Sequence, residues 1–260
     1  MISEDSKPVG LKIIDSIAII TIDNPPVNAL SLETLNGIDQ ALDQVRAETE
    51  FRSLIITGAG ETFVAGLDIK ILIDLDEVTG QNFSRHGQEI MQKIADLPFP
   101  TIAAINGTAL GGGSELALAC NMRLADINAR LGFPEINLGV LPGFGGTQRF
   151  SRMVPLGIVY EMIYTGKIIT AEEAYRIGMV NRVVPSEQVL EEAMKLAELI
   201  VSKRHVGIRA IKQAINRGLQ LSVRDGMVVE AELLGKLCEG NEVKEGVKAF
   251  FEKRPPVFND

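Results

Sequence analysis

Three consecutive glycines, at positions 111–113, constrain the fold of this chain more than any other feature of its sequence. They follow the strand-like run Thr101 to Ile105 and precede an apolar segment of helical composition that carries one carboxylate, Glu115. This order predicts a strand, a tight turn and the start of a helix. Glycine allows close backbone approach, and the N–H groups at a helix start lie where the helix dipole is positive. The turn is therefore either a crowded connection in an α/β protein or a place where negative charge can develop.

Composition and charge narrow the class of protein. The chain has 260 residues, of which 46% are hydrophobic and 23% charged, as expected for one large domain or a domain with a small appendage. A net charge of −8 argues against a general nucleic-acid binder, although it leaves a local basic patch open. No apolar run reaches the roughly 18 residues of a membrane span, and the N-terminus is acidic and polar. We therefore predict a cytoplasmic protein with neither a nucleic-acid nor a membrane partner.

The cysteines and histidines predict no disulfide and no metal site. Cys120 and Cys238 lie far apart in apolar helical patterns, so buried free thiols are favoured over a disulfide. His86 and His205 have no ligand partners at metal-binding spacing.

The order of strands and helices predicts an α/β fold. Two strands at 11–14 and 17–22 form a hairpin, a helix opens at Ser31, and the unit of strand, strand and helix then recurs. Further strands are predicted at 54–56, 101–105, 123–127, 130–133 and 181–184, and a helix at 81–95. Helices are predicted at 155–165, 170–177, 186–202, 204–217, 221–238 and 241–251. A sheet-based core over 1–200 is thus followed by a helical region over 201–260.

Two carboxylates could carry acid and base chemistry. Glu115 and Glu135 each lie just inside a predicted helix start beside a glycine-rich loop. If they face each other, repulsion and partial burial separate their protonation and leave one acid and one base. The alternative is a pair of solvated or capping residues. The second glycine cluster, Gly139 to Arg149, lacks the spacing of dinucleotide and phosphate-binding loops.

Four motifs in order resemble the enoyl-CoA hydratase (crotonase) family. They are Phe-Val-Ala-Gly-Leu-Asp-Ile at 63–69, the stretch 105–115, Phe-Pro-Glu-Ile at 133–136, and the stretch 141–149. The resemblance extends from Asn24 to the closing segment 249–254. It implies a crotonase-type spiral of repeated β-β-α units with a helical C-terminal trimerisation region. It also implies a homotrimer, or a homohexamer that is a dimer of trimers.

The resemblance assigns a role to individual residues. The backbone N–H groups of Leu67 and Gly112 would form the oxyanion hole for the acyl-CoA thioester. Glu115 and Glu135 would hold and activate water, with Glu135 donating a proton to the α-carbon, and Gly143 would help to position the water. Two glutamates favour an enoyl-CoA hydratase of fatty-acid β-oxidation type, which adds water reversibly and syn to a 2-enoyl-CoA. The alternatives are an enoyl-CoA isomerase, a cyclic dienoyl-CoA hydratase and a non-catalytic acyl-CoA-binding protein.

The same resemblance implies no cofactor, because coenzyme A is part of the substrate. Its binding is assigned to Ala65, Asp68, Ile69, Lys70 and Lys253, with Lys253 acting within its subunit or across a subunit boundary. For both lysines a solvated surface position is the alternative. Asp68 is interpreted as a helix-start residue rather than a catalyst. The acyl tail is expected to contact residues from about 70 to 90 and the helices after 155.

The sequence also predicts structural roles or differences at three further positions. Arg149 is interpreted as structural rather than substrate-binding. Asn121 stands where many family members carry an aspartate, which leaves one supporting contact open. Leu67 is larger than the common alanine, which predicts a narrower or differently shaped acyl pocket.

Overall fold

The computed structural model of the chain describes residues 7–258, which fall into two compact units. The first unit ends at Glu198 and the second begins at Leu199. The helix Val189–Val201 contains the boundary. Within the described range, every helix is too short or too polar to cross a lipid bilayer.

The first unit contains all the strands of the described residues. In chain order they are β1 (Val9–Ile14), β2 (Ile17–Ile22), β3 (Ser53–Gly58), β4 (Thr62–Val64), β5 (Thr101–Ile105), β6 (Thr108–Leu110), β7 (Met122–Asp126), β8 (Arg130–Gly132), β9 (Ile168–Thr170) and β10 (Arg182–Val184).

Helices connect these strands and make up the second unit. They are α1 (Leu32–Ala47), α2 (Glu77–Asp96), α3 (Gly112–Ala119), α4 (Gly146–Ser151), α5 (Leu156–Thr165), α6 (Ala171–Arg176), α7 (Val189–Val201), α8 (His205–Gly218), α9 (Val223–Glu239) and α10 (Asn241–Phe251). Two 3-10 helices, Ile69–Asp74 and Pro134–Leu138, lie in the first unit.

The strands form two sheets, between which successive strands alternate in a repeating pattern. The larger sheet has the order β1-β2-β3-β5-β7-β10 and the smaller has the order β4-β6-β8-β9. The hairpin of β1 and β2 is antiparallel, as predicted, and the other neighbours in the larger sheet, from β2 through β3, β5 and β7 to β10, are parallel. Each pair β3–β4, β5–β6 and β7–β8 gives its first strand to the larger sheet and its second to the smaller. The chain therefore advances as a spiral of β-β-α units.

Two polar side chains, half-buried Asn106 and buried Thr57, fix the point where β3 and β5 end. The amide oxygen of Asn106 accepts from the backbone N–H of Gly58 at 3.1 Å, and its nitrogen donates to the carbonyl of Gly60 at 2.8 Å. Thr57 donates its hydroxyl to the carbonyl of Ala104 at 2.9 Å. These bonds satisfy backbone groups that have no partner strand beyond the ends of β3 and β5. They also fix the position of the chain where the glycine-rich stretch begins.

Three strands of three residues each were missed by the sequence prediction. β4, β6 and β9 are too short for an alternation of polar and apolar residues to be visible. β6 occupies part of the stretch predicted as a single tight turn, and α3 begins within the glycine triplet, at Gly112. Asp68 is the N-cap of a 3-10 helix and lies outside its first turn.

The cysteine prediction is half correct. Both thiols are free, and Cys120 is buried at the end of α3. Cys238, however, is exposed. It lies in α9, where apolar residues recur on more than one face, so their spacing could not identify the buried side.

The second unit consists of α8, α9, α10 and the end of α7. Two arginines tie its segments together, Arg204 with Glu242 and Arg254 with Glu245. Several large apolar side chains remain exposed on it, among them Leu219 at 82% and Phe250 and Phe251 at 78% each. This is more apolar surface than a unit of this size normally leaves in water.

The glycine triplet is required by close packing as well as by backbone conformation. Gly111 has a φ of +50°, which disfavours other residues. A Cβ at position 113 would lie 2.0 Å from the carbonyl oxygen of Val64, at the end of β4. The start of α3 therefore packs directly against the backbone of the smaller sheet.

We predict that Gly113→Ala destabilises the chain, because the new methyl group meets backbone that cannot move without displacing β4. The expected loss is about 2–3 kcal/mol, which lowers the thermal midpoint by several degrees. Thermal unfolding at fixed protein concentration measures it. The matched control is Gly157→Ala in α5, where a Cβ meets nothing within 4 Å. Equal midpoints for the two variants would contradict the packing argument.

Candidate active site

A cavity of about 570 Å³ lies in the first unit. Its lining comes from three segments, 65–84, 111–115 and 134–144, and is largely apolar. Among residues 7–258, none beyond 144 lines this cavity, so its lining includes part of the range 70–90 and none of the helices after 155. A concave, mostly apolar cavity with a few polar groups is the usual form of a small-molecule site.

Helix α3 carries Glu115 into this cavity from a fully buried position. All eight residues of α3 are buried, and Glu115 is 2% exposed. The hydroxyl of Ser114 donates to the carbonyl of Ala109 at 2.7 Å and accepts from the N–H of Gly132, which anchors the helix start to β6 and β8. A rigid first turn therefore determines the position of the carboxylate.

Two backbone N–H groups bind the Glu115 carboxylate from the second glycine cluster. Its Oε1 accepts from Phe144 N at 2.8 Å and from Gly146 N at 2.7 Å. A Cβ at position 146 would lie 2.9 Å from the same oxygen, so glycine lets the N–H group approach. Charge-assisted bonds of this kind favour the ionised carboxylate.

Glu135 has the opposite surroundings. It follows Pro134 in the first turn of a 3-10 helix, and both of its carboxyl oxygens are buried without a hydrogen-bond partner among the described residues. A Cβ at Gly111 would lie 2.8 Å from Glu135 Oε1, so the first glycine of the triplet also makes room for this side chain. A buried carboxyl group without donors around it favours its neutral form.

The electrostatics of the two carboxyl groups are coupled. The pKa of Glu115 is raised to about 7, mainly by burial and also by the nearby charge of Glu135, against the opposing effects of Gly146, Phe144 and Arg149. Burial also raises the pKa of Glu135 to about 7, against a smaller effect of its own backbone N–H. Because only Glu115 accepts hydrogen bonds from other described residues, the geometry favours ionised Glu115 beside neutral Glu135 near neutral pH.

Two free backbone N–H groups line the same cavity. Leu67 forms an isolated parallel bridge with Leu30, in which Leu30 N donates to Gly66 O and Asp68 N donates to Leu30 O. Within residues 7–258, the N–H groups of Leu67 and Gly112 donate to no other group. Gly112 is the first residue of α3, so its N–H lies at the positive end of the helix dipole.

A pair of polar side chains on α2 holds Gly143. Its carbonyl accepts from Ser84 Oγ at 2.6 Å and from Gln88 Nε2 at 2.9 Å. Gly143 and Ser84 both line the cavity. Ser84 and Gln88 were not predicted from the sequence, although their spacing of four residues on a predicted helix puts them on one face.

Four of the five residues predicted to bind coenzyme A lie in one short segment of the first unit, 65–70. Ala65 and Ile69 line the cavity. Asp68 caps the 3-10 helix by accepting from Lys70 N at 3.2 Å, and Lys70 is exposed beside the lining residues. Lys253 belongs to the second unit.

Arg149 stands behind the loop that holds Glu115. Its guanidinium donates to the carbonyl of Phe144 and to Gln92 Oε1, each at 3.1 Å. It lines a different cavity from the two glutamates. Its contacts are thus with the backbone that binds Glu115 and with α2.

The position taken by asparagine instead of aspartate is also explained by its contacts. Asn121 Oδ1 accepts from the backbone N–H and the hydroxyl of Thr101, and Asn121 N donates to the same hydroxyl at 2.9 Å. An amide oxygen supplies both acceptor interactions, so the join between α3 and β5 needs no carboxylate there.

No group of His, Cys, Asp and Glu side chains in residues 7–258 is arranged to hold a metal ion.

Comparison with known proteins places these features in a family. The sequence model described as Enoyl-CoA hydratase/isomerase matches residues 12–260. The short-chain-enoyl-CoA hydratase of Clostridium acetobutylicum is 41% identical over 240 residues, which cover 92% of each chain. The crotonyl-CoA hydratase of Syntrophomonas wolfei is 42% identical over 246 residues, which cover 94% of this chain and 95% of that protein.

Solved structures give the same result for the fold. The enoyl-CoA hydratase of Bacillus anthracis superimposes with a TM-score of 0.91 at 37% identity, over 96% of this chain and 98% of that chain. An enoyl-CoA hydratase structure from Geobacillus kaustophilus gives a TM-score of 0.94 at 32% identity, over 98% of each chain. The predicted fold class is thereby confirmed.

We predict that Arg149→Gln raises the pKa of Glu115 above about 7. Loss of the guanidinium charge removes a group that stabilises the carboxylate, and loss of its bond to Phe144 O loosens the loop that donates to Glu115. A carbon-13 NMR titration of labelled glutamate carboxyl groups measures the pKa.

The control for this titration is Arg149→Lys, which keeps the charge and loses the planar fork. Its Glu115 pKa should lie closer to that of the unmodified chain. A Gln variant with an unshifted pKa would show that Arg149 does not influence Glu115.

Proposed function

Because the chain belongs to the enoyl-CoA hydratase/isomerase family, we propose that it adds water reversibly and syn across the 2,3 double bond of 2-enoyl-CoA thioesters. The observation that carries the proposal is the pair of buried glutamates in one cavity, of which one accepts two backbone hydrogen bonds and the other accepts none. Hydration needs one base and one acid at once, and this asymmetry supplies them.

The proposed roles follow from the environment of each group. Ionised Glu115 takes a proton from water, whose oxygen forms the bond to the β-carbon. Neutral Glu135 gives its proton to the α-carbon, so the π bond is consumed as the C–O and C–H bonds form. The two carboxyl groups then hold the reverse protonation and exchange protons to begin another cycle.

The charge that develops during this step falls on the thioester oxygen. We propose that the N–H groups of Leu67 and Gly112 stabilise this negative charge by hydrogen bonding to the oxygen. Neither group donates elsewhere among residues 7–258, and both residues line the cavity. The dipole of α3 adds to the effect at Gly112. Donors fixed before the reaction stabilise an enolate without reorganisation, and the loss of one commonly costs about 100- to 1000-fold in rate.

Gly143 completes the proposed arrangement by positioning the water. Ser84 and Gln88 hold its carbonyl, which fixes the peptide group between Gly143 and Phe144 and so holds Gly143 in place at its carboxyl side. A Cβ at 143 would meet Ser84 Oγ only at 3.6 Å, so glycine is not required there for packing. The backbone N–H, rather than small size, is therefore its proposed contribution.

The remaining parts of the proposal concern the substrate and the assembly. Coenzyme A enters as part of the substrate, with Ala65, Asp68, Ile69, Lys70 and Lys253 as its proposed contacts, and no further cofactor takes part. Exposed apolar residues on α8 to α10 support assembly as a homotrimer or a dimer of trimers through residues 201–260. Two free thiols fit a reducing, cytoplasmic location.

Turnover of enoyl-CoA esters tests the proposed reaction. We expect the purified protein to remove the absorbance of 2-enoyl-CoA esters for at least one acyl chain between four and sixteen carbons long. In heavy-oxygen water the product should carry one solvent oxygen. A product without solvent oxygen would indicate double-bond isomerisation, and no turnover on any ester would overturn the assignment.

We predict that Glu115→Gln and Glu135→Gln each lower kcat at least about 100-fold, because one proton transfer in the step loses its partner. Binding of a saturated acyl-CoA, measured by calorimetry, should persist, since each amide occupies the space of the carboxyl group. The matched control is Glu33→Gln on the exposed first turn of α1, which should leave kcat unchanged. Unchanged turnover in either active-site variant would remove that residue from the mechanism.

A further inference from the structure

A second cavity, of about 520 Å³, lies between α2 and α4 in the first unit. It shares no lining residue with the candidate active site. Eight residues line it, and seven of them are arginines, glutamines or a glycine: Arg85, Gln88, Gln92, Gly145, Gln148, Arg149 and Arg152. The eighth, Glu89, is the one carboxylate among them.

Two of the three arginines are oriented by neutral acceptors. Arg149 donates to Gln92 Oε1 and to the carbonyl of Phe144. Arg152 donates to the carbonyl of Gln148 at 2.8 Å and to its side-chain oxygen at 3.1 Å. Carbonyl and amide oxygens fix the direction of a guanidinium group but do not neutralise its charge.

Two arginines of the second unit have carboxylate partners instead. In the second unit, Arg204 pairs with Glu242, and Arg254 pairs with Glu245 and Glu252. Arg85, in contrast, forms no hydrogen bond or ion pair with any other described residue, even though Glu89 lies one turn along α2. The cavity therefore keeps three guanidinium groups against the single carboxylate in its lining.

Nearby acidic groups reduce this positive charge but do not remove it. Asp96 and Glu115 act on Arg149 through their charges from outside the lining. Neither Arg85 nor Arg152 forms a salt bridge with a carboxylate of residues 7–258. The cavity therefore retains positive charge although the chain as a whole has a net charge of −8.

We propose that this second cavity binds a phosphate-class anion distinct from the substrate. The planar fork of arginine matches the oxygens of phosphate, and the remaining N–H groups of Arg85 and Arg152 are available for two such contacts. The volume exceeds that of a single phosphate ion, so a diphosphate or a phosphate ester fits better. The site does not depend on the proposed hydratase activity, because the two cavities have no lining residue in common.

Calorimetric titration of the full-length chain at low ionic strength tests the site, with sodium phosphate and sodium diphosphate as probes. We expect both to bind and diphosphate to bind more tightly. Arg85→Gln/Arg152→Gln should weaken diphosphate binding at least about tenfold, because it removes two charge-assisted contacts. Arg149 is left unchanged because it acts on Glu115.

Single and control variants keep the result interpretable. Arg85→Gln alone removes no protein contact, so it should fold normally and still weaken binding at least about threefold. Arg130→Gln is the matched control, since this exposed arginine donates only to carbonyls of its own segment. Enoyl-CoA turnover should be the same in all of these variants.

Three results would overturn the proposal. The first is no diphosphate binding up to about 10 mM, or binding no tighter than that of chloride. The second is a double variant that binds as tightly as the unmodified chain. The third is competition between diphosphate and coenzyme A, which would make the cavity part of the substrate site; binding of both together supports a separate anion.

Discussion

The candidate site depends on one interaction, the binding of the Glu115 carboxylate by the N–H groups of Phe144 and Gly146. A carboxylate that is 2% exposed would be costly to ionise without donors. Those donors come from a loop 29 and 31 residues further along the chain, so the bond also joins α3 to the start of α4. Ser84 and Gln88 hold the same loop at Gly143 from the other side. The acid-base asymmetry is therefore a property of backbone positions that three separate segments determine.

The glycines of the site act through different physical requirements. Gly111 combines a positive φ with the space taken by Glu135, whereas Gly113 is required by contact with the backbone of Val64. Gly146 lets an N–H group reach Glu115. At Gly112 a Cβ would meet mainly a flexible methyl group of Leu30, at 3.0 Å, so its proposed contribution is its free N–H. The three consecutive glycines at 111–113 therefore meet three different physical requirements.

The alternation of strands and helices was sufficient to predict the α/β class, the first hairpin and every long helix. It could not predict β4, β6 and β9, because three residues do not make a readable period and these strands form only through pairing with distant segments. Motif resemblance brought together Glu115, Glu135 and Gly143, which do line one cavity. Ser84 and Gln88 remained invisible, since a polar pair on a helix looks the same whether it faces solvent or a carbonyl. Contacts between polar residues that lie far apart in the sequence can therefore be identified only in the folded structure.

The burial that raises the pKa of both glutamates also lowers the stability of the fold at higher pH. A carboxyl group whose pKa rises from 4.5 in the unfolded chain to about 7 in the folded one stabilises the fold fully below pH 4.5. That stabilisation is lost as the pH rises through about 7, where the folded group must ionise in its buried position. For Glu115 the difference corresponds to roughly 3 kcal/mol, a large share of the stability of an ordinary domain. Above about pH 7 the buried carboxyl groups of the candidate site therefore lower the stability of the fold, and the packing of α3 against β4 acts in the opposite direction.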